Sequence, residues 1–169
     1  MTPDQFTNRI SDIGQRFERE PLTDVMDECH TALVDGSRYM FANAVGPDGE
    51  VWPQRRLGTS RHPLLNQTGE LYAAATGGAG HVHRTGYREV IYGVQKAASG
   101  SRAGAAVHQY GATIVPRFKK FLSFVVDGIR YFAKKVVIPA RPYIGCSSET
   151  RDICRETIAE GFREKVFQQ

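Results

Sequence analysis

The stretch KFLSFVVDGIRYFAKKVVIPARPYIG, Lys120–Gly145, decides the fold. Asp127-Gly128 sits between two runs rich in aromatic and branched residues. Asp-Gly is a pair that two-residue hairpin turns select, because both turn positions need positive φ. Pairing across the turn sets Val126 opposite Ile129, Phe124 opposite Tyr131 and Leu122 opposite Ala133. These six share one apolar face, expected to be fully buried. The other face carries Phe121, Ser123, Val125, Arg130, Phe132 and Lys134, a mixture that water or a second subunit could cover. Beyond it, Pro139 and Pro142 flank Arg141. Proline cannot donate to a ladder, so the strand stops and a stiff extended connector begins. Its Ile138, Tyr143 and Ile144 are expected to dock between sheet and last helix.

Helical periodicity surrounds this core. Phe6, Ile10, Ile13 and Phe17 recur at steps of four and three, one stripe of a first helix. Pro21 suits the start of a second, whose stripe runs through Leu22, Val25, Met26, Cys29 and Leu33 towards Phe41; Gly36 weakens it without ending it. Both helices are expected to pack on the core. After Gly145, Ser147 or Ser148 can cap a helix with Glu149 and Asp152 in its first turn and a stripe of Cys154, Ile158, Phe162 and Val166 that is expected to be buried. Between these ends, VGPDGEVWPQRRLGTSRHPLLNQTGELYAA (residues 45–74) reads as a long irregular connection, with a short helix or turn beginning near Leu71. Trp52, beside Arg55 and Arg56, is either the anchor of an arm on a partner subunit or the plug of a loop folded on its own domain. TGGAGHVHRTGYREVIYGV (76–94) offers two short strands about Thr85-Gly86, and Gly111 is a C-cap candidate for a short helix before it. The expectation is one α+β domain: helices over 1–45, an arm over 46–70, an antiparallel β-sheet with a central hairpin over 79–145, and a helix over 147–167.

Composition bounds the function. The start lacks a signal-peptide pattern, and no run approaches membrane-spanning length. Three scattered cysteines read as reduced thiols of a cytoplasmic protein, with Cys29 and Cys154 on helix stripes as small buried hydrophobes. Residues 1–35 hold three basic and eight acidic residues, whereas 36–145 hold fifteen basic and five acidic. A basic middle suits nucleic acid, or the acidic part of a neighbouring subunit. GxSxG, P-loop, HExxH and CxxC patterns are all missing, and the glycines of 76–80 lack the strand and helix of a phosphate loop. His81 and His83 alternate on one strand face, but no third metal ligand is suggested nearby. No catalytic residue, metal site or cofactor is expected, and the chain reads as non-enzymatic.

Four blocks in order resemble the virion morphogenesis, or tail completion, family of tailed bacteriophages, Mu-like phages included. They are FANAVGPDGEVWP (41–53), LLNQTGEL (64–71), VHQYG (107–111) and FAKKVVIPARPYIG (132–145). The resemblance covers roughly residues 20–169 and leaves the first helix outside. It marks Leu65, Thr68, Gly69, Leu71, His108, Gly111, Pro139, Arg141 and Pro142 as structural motif residues. What it implies is a virion protein of the neck or tail end, made in the host cytoplasm. It implies a homo-oligomeric ring, hexameric by expectation, that caps the tail tube and supports head–tail joining as a tail terminator. Partners would be other copies, tail tube or sheath proteins and head–tail connector proteins, with no membrane. Trp52, Arg55, Arg56, Lys119, Lys120, Lys134 and Lys135 are the interface or lumen candidates, the four lysines meeting passing DNA without base reading. Rival readings are a head-side adaptor or stopper and a sequence-independent nucleic-acid-binding module.

Overall fold

The computed structural model describes residues 2–19, 22–57, 62–95 and 104–167. Its elements are α1 (Pro3–Arg19), α2 (Thr23–Asn43), α3 (Glu70–Ala75), β1 (His81–Thr85), β2 (Val90–Val94) and α4 (Gly104–Tyr110). There follow β3 (Ala112–Ile114), β4 (Leu122–Val126), β5 (Ile129–Ala133), β6 (Val136–Ile138) and α5 (Ser148–Phe167). Helices with small antiparallel sheets make this the expected α+β fold.

α2 is the spine. Val25, Met26, Cys29, Leu33, Val34, Met40 and Phe41 are buried along it, with Leu22 just before its start. α5 runs antiparallel against it, Gly36 meeting Thr150 and Gly161 meeting Val25. A Cβ on Gly36 would stand 2.8 Å from Thr150 Oγ1, and one on Gly161 2.3 Å from Val25 Cγ2. The glycine that weakens α2 in isolation thus lets α5 approach. Of the two cap candidates, Ser147 caps α5: its Oγ accepts the Thr150 N–H at 3.0 Å.

α1 forms as the periodicity predicts, but the first half of its stripe is not on the core. Phe6 and Ile10 are 58% and 53% exposed. Ile13 is half-buried, and the Phe17 side chain lies outside the described residues. The helix leans on α5 and is tied by the Tyr87 hydroxyl, which donates to the Glu18 carbonyl. Period alone says which residues share a face, not what that face meets.

The strands correct a second expectation. They form three two-stranded antiparallel ribbons, β1–β2, β3–β6 and β4–β5, in place of one sheet. The last two are sections of one long hairpin arm, Ala112–Ile138. They separate because residues 115–121 face only 134–135, and Pro116 has no N–H to offer a ladder. At its tip, Asp127 (φ 49°) and Gly128 (φ 81°) make the expected turn with the expected register. The face expected to be fully buried is only half covered, and Ile129 stays exposed. A two-stranded ribbon at the end of an arm has little protein to pack on.

The main core joins Met40, Phe41, Trp52, Leu71, Ala75, Ala105 and Tyr143. α2 ends at Ala44 in the left-handed conformation. A turn then closes with the Gly46 N–H donating to the Glu50 carbonyl at 2.8 Å. This doubling back lays Trp52 edge-on to Phe41, ring centroids 5.5 Å apart. Trp52 is 2% exposed and its Nε1 donates to the Pro142 carbonyl at 2.9 Å. It is the plug of its own domain and leaves the interface candidates.

Candidate functional site

Five of the nine motif residues, His108, Gly111, Pro139, Arg141 and Pro142, meet in one clasp where the segment after β6 runs past α4. Arg141 is 8% exposed. Its backbone N–H donates to the His108 carbonyl at 2.8 Å, its Nε to the Pro53 carbonyl at 2.7 Å and its Nη2 to the Gln54 carbonyl at 3.3 Å. Burial, then the neighbouring charge of Arg55, lowers its affinity for its proton. Gln109 of α4 holds the next residues. Its amide oxygen accepts from the N–H groups of Tyr143 and Ile144 at 3.0 and 3.2 Å, and its NH2 donates to the Ile144 carbonyl at 2.8 Å. The Tyr143 hydroxyl reaches the Ala105 carbonyl at 3.1 Å. A segment that prolines bar from the sheet therefore has its backbone groups satisfied by α4 and the loop.

Gly111 shows why no larger residue fits between them: its φ is +72°, and a Cβ would lie 2.8 Å from Ala140 N. His108 is half-buried, and burial, then the Arg141 charge, lowers its pKa. Leu71 lies in the core with Leu65 packed against it, while Gly69 (φ 81°) precedes α3. Thr68 Oγ1 accepts weakly from the Glu70 N–H at 3.5 Å. Pro139 and Pro142 are half-buried, Pro142 as acceptor for Trp52. The work of these residues is packing and hydrogen bonding.

The remaining candidates lie on the surface. Lys119 and Lys120 precede β4 while Lys134 and Lys135 follow β5, and the Leu122↔Ala133 register puts both pairs at one end of that ribbon. All four are exposed. Arg55 and Arg56 are exposed on the loop, Arg55 donating to the His62 and Pro63 carbonyls at 2.6 Å each. Sequence reasoning placed Phe121 and Phe132 on the mixed face of this hairpin but missed Phe118, beside the first lysine pair. Phe118 is 98% exposed and Phe132 66%, with Phe121, Val125 and Ile129 also open. The run RFKKF, Arg117–Phe121, is the signal that could have found Phe118: an aromatic interleaved with cations is rarely core. A second apolar surface runs along α5, whose stripe is not buried as expected. Ile158 is exposed, Cys154 and Phe162 are half-buried, and the Val166 side chain lies outside the described residues. Ile158, Ala159 and Phe162 line a shallow groove between Arg155 and Arg163.

His81 and His83 gain a neighbour that spacing could not reveal, His30 of α2. His30 Nε2 lies 2.8 Å from His81 Nε2, and its ring stacks on His83 with centroids 3.6 Å apart. His81 Nδ1 donates to the Ala74 carbonyl at 2.8 Å, and Asp27 Oδ1 stands 3.5 Å from His83 Nε2. Burial first, then His83 and His81, lowers the pKa of His30. Among the described residues no group of three or more His, Cys, Asp or Glu side chains has the arrangement of a metal site. No described helix is long and apolar enough to cross a membrane.

The fold is therefore organised around ordered blocks that build a scaffold, with an apolar and cationic arm outside it. No curated protein and no solved structure matches the chain. The model of the phage virion morphogenesis family matches residues 4–163, a span that takes in α1, which the sequence resemblance leaves out. Matched over nearly its whole length, the chain belongs to the phage virion morphogenesis family.

Proposed function

We propose that the protein is a tail completion or tail-terminator protein, which closes the tail tube at the head–tail neck as a ring of identical subunits and acts by assembly, not catalysis. The hairpin arm Ala112–Ile138 carries this reading. It holds Phe118, Val125, Ile129 and Phe132 out to solvent, where a soluble monomer gains nothing from them. Rings join unlike surfaces head to tail. The basic arm and the acidic residues 1–35, with Phe6 and Ile10 open on α1, are unlike in charge and shape. Lys119, Lys120, Lys134 and Lys135 give the same arm a cationic end suited to DNA phosphates, in contacts that weaken with salt and read no bases. Tail tube or sheath proteins and connector proteins are the heterologous partners.

The test is particle mass of the purified chain alone and with its tail proteins, for the wild type and for Phe118→Ser combined with Phe132→Ser. The wild type should form a closed ring and the variant a monomer with unchanged Trp52 emission. A wild type that stays monomeric and joins no virion particle refutes the proposal. Imaging of isolated tails and isolated heads separates a terminator from a head-side stopper.

A further inference from the structure

We propose that Cys29 and Cys154 are a reversible cross-linking site, closing to a disulfide that pins α2 to α5 when the protein meets a disulfide oxidant such as oxidised glutathione. Cys29 lies on the buried face of α2, and Cys154, half-buried, faces it from α5. The Cys29 thiol donates to the Cys154 carbonyl at 3.8 Å and the Cys154 thiol to the Cys29 carbonyl at 3.8 Å. That reciprocity requires the two side chains to lie beside one another across the seam. The seam is close at both flanks, where Gly36 meets Thr150 and Gly161 meets Val25 without room for a Cβ. Helices in such contact bring facing Cα atoms towards the roughly 4–7 Å that a disulfide spans.

The pair is quiet by default. Burial, then the adjoining Cys154, pushes the Cys29 thiol up to about 12, and burial raises Cys154 as well. Little thiolate is present at neutral pH, so the bond forms slowly and only against an oxidant. Cys154, the less buried, reacts first. Its thiolate attacks one sulfur of glutathione disulfide, making a mixed disulfide and expelling a glutathione thiolate, which takes up the released proton. The Cys29 thiolate then attacks the Cys154 sulfur and expels the second glutathione. Two protein thiols are oxidised and one glutathione disulfide is reduced to two thiols. The product joins residues 125 apart in sequence, and cross-links closing long loops restrain the unfolded chain most.

The inference does not depend on the assembly role, so the full chain is tested alone, as Cys146→Ser to remove the exposed third thiol. It is incubated for a long period with oxidised glutathione at about pH 9, where more of each raised thiol is ionised than at neutral pH, then denatured, alkylated and weighed. The expected product is about 2 Da lighter than the dithiol, resists alkylation until reduced, and yields one peptide containing both cysteines. Its urea midpoint should rise by about 1 M. With Cys29→Ser added, Cys154 should stop at the glutathione adduct. Two thiols still open to alkylation, or a persistent Cys154 adduct with Cys29 present, overturn the proposal.

Discussion

Replacing Arg141 by methionine keeps most of the side chain's length and removes the guanidinium. Two bonds are lost: the charge-assisted one to the Pro53 carbonyl at 2.7 Å and the longer one to the Gln54 carbonyl at 3.3 Å. The first contributes about 2 kcal/mol and the second under about 1 kcal/mol. Methionine has no charge to desolvate, and Pro53 and Gln54 are exposed enough for water to reach their carbonyls. These offset about 1 kcal/mol, leaving a loss of about 2 kcal/mol. For a chain of this size, with a urea slope of about 2 kcal/mol per molar, the midpoint should fall by about 1 M. Trp52 is the assay. It is the sole tryptophan, buried, and shares the clasp through Pro142, so its emission shifts red when the clasp opens. Arg141→Lys, which keeps one charge-assisted bond, should fall between. Arg130→Met on the exposed hairpin is the control, since Arg130 makes only a 3.3 Å bond to Ser123 Oγ on the surface. A midpoint for Arg141→Met equal to that of Arg130→Met refutes the clasp.

Two further substitutions have opposite signs. Gly161→Ala forces a methyl against Val25 and should cost about 1–3 kcal/mol, whereas Gly14→Ala in α1 meets nothing within 4 Å and should stabilise by about 0.5–1 kcal/mol. Thermal unfolding of both variants checks the pair, and a neutral Gly161→Ala counts against the close α2–α5 seam. Stability should also fall in mild acid. His30 and His108 both titrate below their ordinary value of 6.5 in the folded chain, chiefly through burial. The unfolded chain therefore takes up protons first as pH drops, so their contribution is complete above 6.5 and is lost progressively from there down through the lower folded values. Urea midpoints above and below that range should differ, and His30→Gln should reduce the difference; identical midpoints for the wild type would contradict the burial of these rings.

Much of this molecule follows from short-range rules. Asp127-Gly128 could make only a tight turn, and that turn dictates the register of β4 and β5. The stripe of α2, the Ser147 cap and the halt at Pro139 are likewise local, because φ restriction, missing donors and helical period act within a few residues. What the rest of the chain does to a local element is a different matter. The period of α1 groups Phe6 with Ile10, but only the packed structure leaves both in water. Trp52 in a loop suits a plug and an arm equally, until the turn at Gly46–Glu50 delivers it to Phe41 and Pro142. His30 stands far from His81 and His83 in sequence and stacks on His83 only because β1 packs on α2. Sequence by itself determined the elements and their turns, through sterics and hydrogen bonding between near neighbours. Tertiary structure alone decided which apolar faces were covered, since burial depends on residues far along the chain, and it left Phe118 and Phe132 in water.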